Sequence, residues 1–172
     1  HSSGSLRNPG NAYFIRTTQE ILASTHVQIE TGTTVEFGDF AGLVVRGSLA
    51  AQGSSASPIT FTSDDVVKGP GQWAGLIFTG DRTETSHLQH CQVEGGWHWY
   101  GALVEVSGAA EVLLEECTLT QCSVDGIQLL TDSQVMVRSS SISTCQGTGI
   151  RATSARARVD GCDIFSNGGY GI

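Results

Sequence analysis

An all-β solenoid, a parallel β-helix, is the fold this 172-residue chain predicts, and three observations carry it. The first is a self-match near the C-terminal end. VEVSGAAEVLLEECTLTQCSVDG from Val104, IQLLTDSQVMVRSSSISTCQGTG from Ile127 and IRATSARARVDGCDIFSNGGYG from Ile150 align, with starts 23 residues apart and a further start 22 residues on at Ile172. A fixed period in the twenties marks repeats that each form one coil and bury their apolar side only by stacking. The second observation is period-two alternation inside each repeat, the signature of a strand with one buried face. The third is punctuation by Gly, Ser, Asp and Asn, with no apolar residues at helical spacing over this region.

The elements follow in order. Val104 and Val106 align with Ile127 and Leu129, then with Ile150 and Ala152. Val112 and Leu114 align with Val135 and Val137, then with Ala157 and Val159. Leu119 aligns with Ile142 and Ile164. Each coil therefore reads as three short strands. Neighbouring coils are expected ~4.8 Å apart, the spacing of hydrogen-bonded strands. Equivalent side chains then form columns, such as Val112–Val135–Ala157 and Leu119–Ile142–Ile164. Cys117, Ser140 and Cys162 make another inward column that Cys91 extends, while Cys122, Cys145 and Asn167 share a turn position.

The stretch CDIFSNGGYGI from Cys162 resembles the right-handed parallel β-helix repeat of pectate-lyase-like proteins. VQIETGTTVEF, GLVVRGSLAAQG, PITFTS and QWAGLIF resemble the opening coils of surface proteins in the same superfamily. The resemblance implies a right-handed, single-stranded solenoid of about five to six coils over residues 12–172. It also places a packing tryptophan at Trp73. It is silent on activity, because this scaffold hosts lyases, hydrolases, epimerases and pure binding proteins. Residues 1–11 read as a tag remnant (HSSGS) and leader, residues 12–100 as irregular coils and residues 101–172 as regular ones. Ile172 is the first core residue of a new coil, so the chain is expected to be a piece of a longer solenoid, in contact with further coils.

Composition narrows the partners. Gly is abundant at 22 and Pro scarce at 3, which suits many tight turns. The formal net charge of −8 argues against a nucleic-acid partner. Neutral glycans, cationic ligands, calcium and proteins stay open. No run is long and apolar enough to insert in a membrane.

Candidate functional residues sit where the repeat is interrupted, since insertions become loops on one face. One interruption covers residues 63–72, SDDVVKGPGQ. The other covers residues 95–101, where Cys91 to Cys117 is 26 residues, longer than the later repeats. The extra length holds Trp97, His98, Trp99 and Tyr100, the expected ligand-binding residues. Aromatic faces stack on sugar rings and anchor protein interfaces. His87, His90 and His98 lie near this loop, but His87 and His90 need not converge on a metal. Cys122 and Cys145 fall at equivalent positions of adjacent coils, within reach of a disulfide; buried free thiols are the alternative. No cysteine spacing suggests zinc.

The resemblance implies, for lyases, aspartates holding calcium on one strand face with an Arg or Lys base, and for hydrolases, clustered aspartates. Neither pattern occurs here. Glu115, Arg138 and Asp160 form an outward column of alternating charge, and Glu105, Gln128 and Arg151 a second. Asp125 and Asp132 flank one coil without acidic equivalents in the next, so no cofactor is expected and calcium there is unsupported. The reading is an extracellular or cell-surface scaffold of adhesion type, binding a glycan or a protein. One alternative is a polysaccharide lyase or hydrolase with part of its site outside these residues. Another is an intracellular protein-interaction β-helix.

Overall fold

The computed structural model describes residues 2–7, 10, 12–67, 69–80, 84–96 and 101–172. The chain winds through three strands per coil. The first coil is β1 (Ser2–Leu6), β2 (Tyr13–Ile15) and β3 (Gln19–Ile21). The second is β4 (Thr25–Ile29), β5 (Thr34–Phe37) and β6 (Gly42–Val45), and the third β7 (Ser48–Gln52), β8 (Ile59–Ser63) and β9 (Gly75–Gly80). The fourth is β10 (Ser86–Gln89), β11 (Cys91–Glu94) and β12 (Ala102–Gly108), and the fifth β13 (Glu111–Glu115), β14 (Thr118–Thr120) and β15 (Asp125–Leu129). The sixth is β16 (Gln134–Arg138), β17 (Ser141–Ser143) and β18 (Ile150–Ala152), and the seventh holds β19 (Arg156–Asp160) and β20 (Asp163–Phe165).

Every third strand pairs in parallel. Sheet A is β1-β4-β7-β10-β13-β16-β19, sheet B is β2-β5-β8-β11-β14-β17-β20, and sheet C is β3-β6-β9-β12-β15-β18. The expected parallel solenoid is therefore present, with about seven coils rather than five to six. The difference lies in the N-terminal half. There the turns vary in length, which hides the period, while the strand alternation that sets the stacking persists. Ser2–Leu6, within the segment read as tag remnant and leader, pairs with Thr25–Ile29 as the first strand of sheet A.

The expected columns are in register. Val112 faces Val135 and Val135 faces Ala157. Leu119 faces Ile142 and Ile142 faces Ile164. Val104, Ile127 and Ile150 align in sheet C. These residues line one continuous apolar bore, in which Leu49, Phe61, Leu76, Leu88, Leu114 and Leu119 are fully buried. Burying such a side chain is worth ~1.5–3 kcal/mol.

The corners are built from a repeated backbone device. Between sheets A and B, His90, Glu116, Ser139 and Gly161 occupy one column and all have positive φ, at 46°, 52°, 47° and 60°. Between sheets B and C, Gly95, Gln121, Thr144 and Ser166 repeat it at 76°, 57°, 56° and 53°. One left-handed residue turns the strand direction sharply, at a cost that most side chains avoid. The next residue secures the first corner. The Cys91, Cys117 and Cys162 thiols and the Ser140 hydroxyl each donate to the carbonyl two residues back, at 3.4, 3.2, 3.4 and 2.7 Å. This bond explains why that column accepts only small polar or thiol side chains.

A candidate contact corner

The two interruptions in the repeat converge. The first begins at the end of β8 and the second directly after β11, so both begin at the corner between sheets B and C, in adjacent coils. They touch there. The Gln72 N–H donates to the Gly95 carbonyl at 3.0 Å, and Trp73 bridges Gly96 in parallel. Trp97, His98, Trp99 and Tyr100 lie outside the described residues. Their neighbours Gly96 and Gly101 are buried beside this corner.

Gln72 organises the first insertion. Its Oε1 accepts from the Ser63 hydroxyl at 2.8 Å and from the Gly69 N–H at 2.9 Å. Its Nε2 donates to the Val67 carbonyl at 2.7 Å. Trp73 then anchors the exit strand. Its ring is fully buried, stacks on Phe37 with centroids 4.2 Å apart, and donates from Nε1 to the Glu94 carbonyl at 2.8 Å. This is the packing role the sequence suggests for it.

The loop so fixed displays apolar side chains outward. Val66 is 100% exposed, Val67 79% and Phe40 63%. Phe40 belongs to the same corner one coil earlier, because its N–H donates to the Gln72 carbonyl at 3.3 Å. It also sits at φ 61°, a conformation bulky side chains rarely hold. Acidic groups surround this patch: exposed Asp39, half-buried Asp65, and Asp64, which lies 3.6 Å from Arg16. Phe40 carried no sequence signal, since a phenylalanine after a strand reads as core.

The other candidates are dispersed. His87 lies on sheet A, where Nε2 faces Glu115 Oε2 at 3.0 Å and Nδ1 faces Gln52 Nε2 at 3.0 Å. His90 is at the A–B corner and pairs with Glu116 at 2.7 Å. The two rings thus serve different carboxylates. Among the described residues no three His, Cys, Asp or Glu side chains group as a metal site. The alternating column is in register, and Arg138 reaches Glu115 at 3.3 Å. The Arg138 guanidinium and then His87 hold the Glu115 carboxyl below its ordinary value.

The second column behaves differently. Glu105, Gln128 and Arg151 are in register, yet Arg151 reaches diagonally to Asp125. Its Nε donates to Oδ2 at 2.6 Å and its terminal NH2 group to Oδ1 at 3.2 Å. The Thr148 N–H also donates to Oδ1, at 2.6 Å. Asp125 is buried, and this ion pair raises the Arg151 pKa. Both carboxylate oxygens therefore tie the following corner to the coil below.

The cysteines form two stacks. Cys122 and Cys145 have Cα atoms 4.3 Å apart and are joined by a disulfide. Cys91 and Cys117 are free and buried, and Cys162 is free and half-buried. The hydrogen bond to Cys117 and then burial push the Cys91 thiol up.

Comparison with known proteins agrees with this architecture. Residues 5–110 match a pectate-lyase-like beta helix domain, and residues 74–172 match a right-handed beta helix region. No curated protein and no solved structure matches the chain. With three parallel sheets, columns in register and each match covering more than half of the sequence, the chain belongs to the right-handed parallel β-helix superfamily of pectate-lyase-like proteins.

Proposed function

We propose that the chain is a non-catalytic, extracellular β-helix scaffold that binds a protein or glycan partner at the B–C corner. One observation supports this reading above others. Two insertions that break the repeat begin at the same corner in adjacent coils, and the first is held by Gln72 so that apolar side chains face water. Loops carried on a rigid solenoid are where such folds place contact residues. A tied loop loses little conformational freedom on binding, so more of its contact energy appears as affinity.

The test is a panel of polysaccharides, arrayed glycans and candidate proteins, screened for binding and for turnover. Binding is expected without new reducing ends or unsaturated-uronate absorbance. Phe40→Gly with Val66→Ser and Val67→Ser should weaken the hit at least ~10-fold while the circular dichroism persists, as expected when anchors are lost from an interface. Trp97→Ala and Trp99→Ala extend the same test to the second insertion. Turnover in the panel would replace this reading with that of a polysaccharide-acting enzyme.

A further inference from the structure

A second surface on this chain complements the corner. The outer face of sheet A carries a trough of about 410 Å³ across β13, β16 and β19. Leu113 and Met136, in register and half-buried, line its middle. Arg156 and Arg158 close one end, both exposed and side by side on β19. Neither guanidinium has an acidic partner among the described residues. In a chain of net charge −8, this trough has an apolar floor and a basic end, with Arg156 and Arg158 on β19 and Glu111 two strands away on β13. The corner is its converse: apolar Val66, Val67 and Phe40 beside Asp64 and Asp65.

The two surfaces cannot meet within one chain. Each coil runs from sheet A to B to C, so the B–C corner lies across the bore from the face of sheet A. They also belong to different coils, the second and third against the fifth to seventh. We infer that the chain docks on a second copy of itself, the Val66–Val67 tip of one copy entering the Leu113–Met136 trough of the next with Asp64 and Asp65 against Arg156 and Arg158. Such a contact joins unlike patches on opposite sides, so it leaves a free corner and a free trough at the two ends and propagates as an open row. Complementary charge sets the register, and the apolar contacts hold it.

This inference rests on the corner being a contact face, and it names the partner. The experiment is sedimentation velocity of the whole chain over a wide concentration range, at low and high salt. The mass should rise above the single-chain 18.1 kDa with concentration and fall back as salt screens the charges. Arg156→Glu with Arg158→Glu should remain monomeric, as should Asp64→Lys with Asp65→Lys. An equimolar mixture of these two variants restores opposite charges at every contact and should associate again. Val66→Ser with Val67→Ser tests the apolar half at exposed positions and should weaken association without changing the circular dichroism. A wild-type mass that stays at one chain, or a variant mixture that stays monomeric, overturns self-docking. If the wild type is monomeric while Phe40→Gly still loses a hit from the ligand panel, self-docking alone fails and the contact corner stands.

Discussion

Glu115 shows how one outward side chain acquires a pH-dependent role. Its carboxyl sits between Arg138 and His87 and titrates below its ordinary value. A lowered folded-state pKa stabilises the fold above the unfolded value of about 4.3, and this contribution is lost as pH falls through the folded pKa. Glu115→Gln should therefore cost up to about 1 kcal/mol at neutral pH, with the difference from wild type vanishing in acid. Urea unfolding at a series of pH values measures this. Asp125 carries more, because it is buried and accepts from both Arg151 and the Thr148 N–H. Asp125→Ala leaves that N–H without its acceptor and should cost ~1–3 kcal/mol. A urea midpoint unchanged from wild type would contradict the role assigned to it. The outward position of Glu115 was legible from alternation. The Asp125 pairing was not, since register places Arg151 above Gln128 and only the reach of a long guanidinium side chain selects the diagonal.

At the scale of the strand and its corner, two effects compete: stacking of like side chains and the strain of sharp turns. Leu119 and Ile142 are fully buried in one column of sheet B. Truncating either to Ala should cost ~2–5 kcal/mol in unfolding experiments, because the neighbouring rungs cannot collapse into the space. The corner column responds in the opposite sense. Gln121 is exposed at φ 57°. Gln121→Gly should be neutral or stabilising by up to about 1 kcal/mol, while Gln121→Val should destabilise by ~1–2 kcal/mol. Thermal melts of the pair decide it, and a Val variant as stable as the Gly variant would mean the corner is not left-handed. The strands could be read from sequence because alternation is a property of each segment. The corner conformation could not, because Glu116, Thr144 and Ser166 share a backbone shape without sharing a residue type.

For the whole molecule, the thiols report on how the coils stack. Of five cysteines, Cys91, Cys117 and Cys162 are free and Cys122 is bonded to Cys145. A thiol titration without reductant should find three groups after denaturation. In the native state Cys91 and Cys117 should stay silent, because both thiols are buried. Five reactive thiols after denaturation would show a reduced protein and favour an intracellular setting. By itself, the order of residues determined the solenoid, its three-strand coil and the columns of its bore. A period near 23 with internal alternation has few solutions that bury every apolar face. It also marked both insertions as departures from the repeat. Only the tertiary structure decided that these insertions, 32 residues apart at their first positions, begin at one corner together. The same holds for Phe40 facing water there and for the trough of sheet A lying across the bore. Such placements depend on how many residues each turn consumes before the next strand locks into register, and that is set by packing between coils rather than within one.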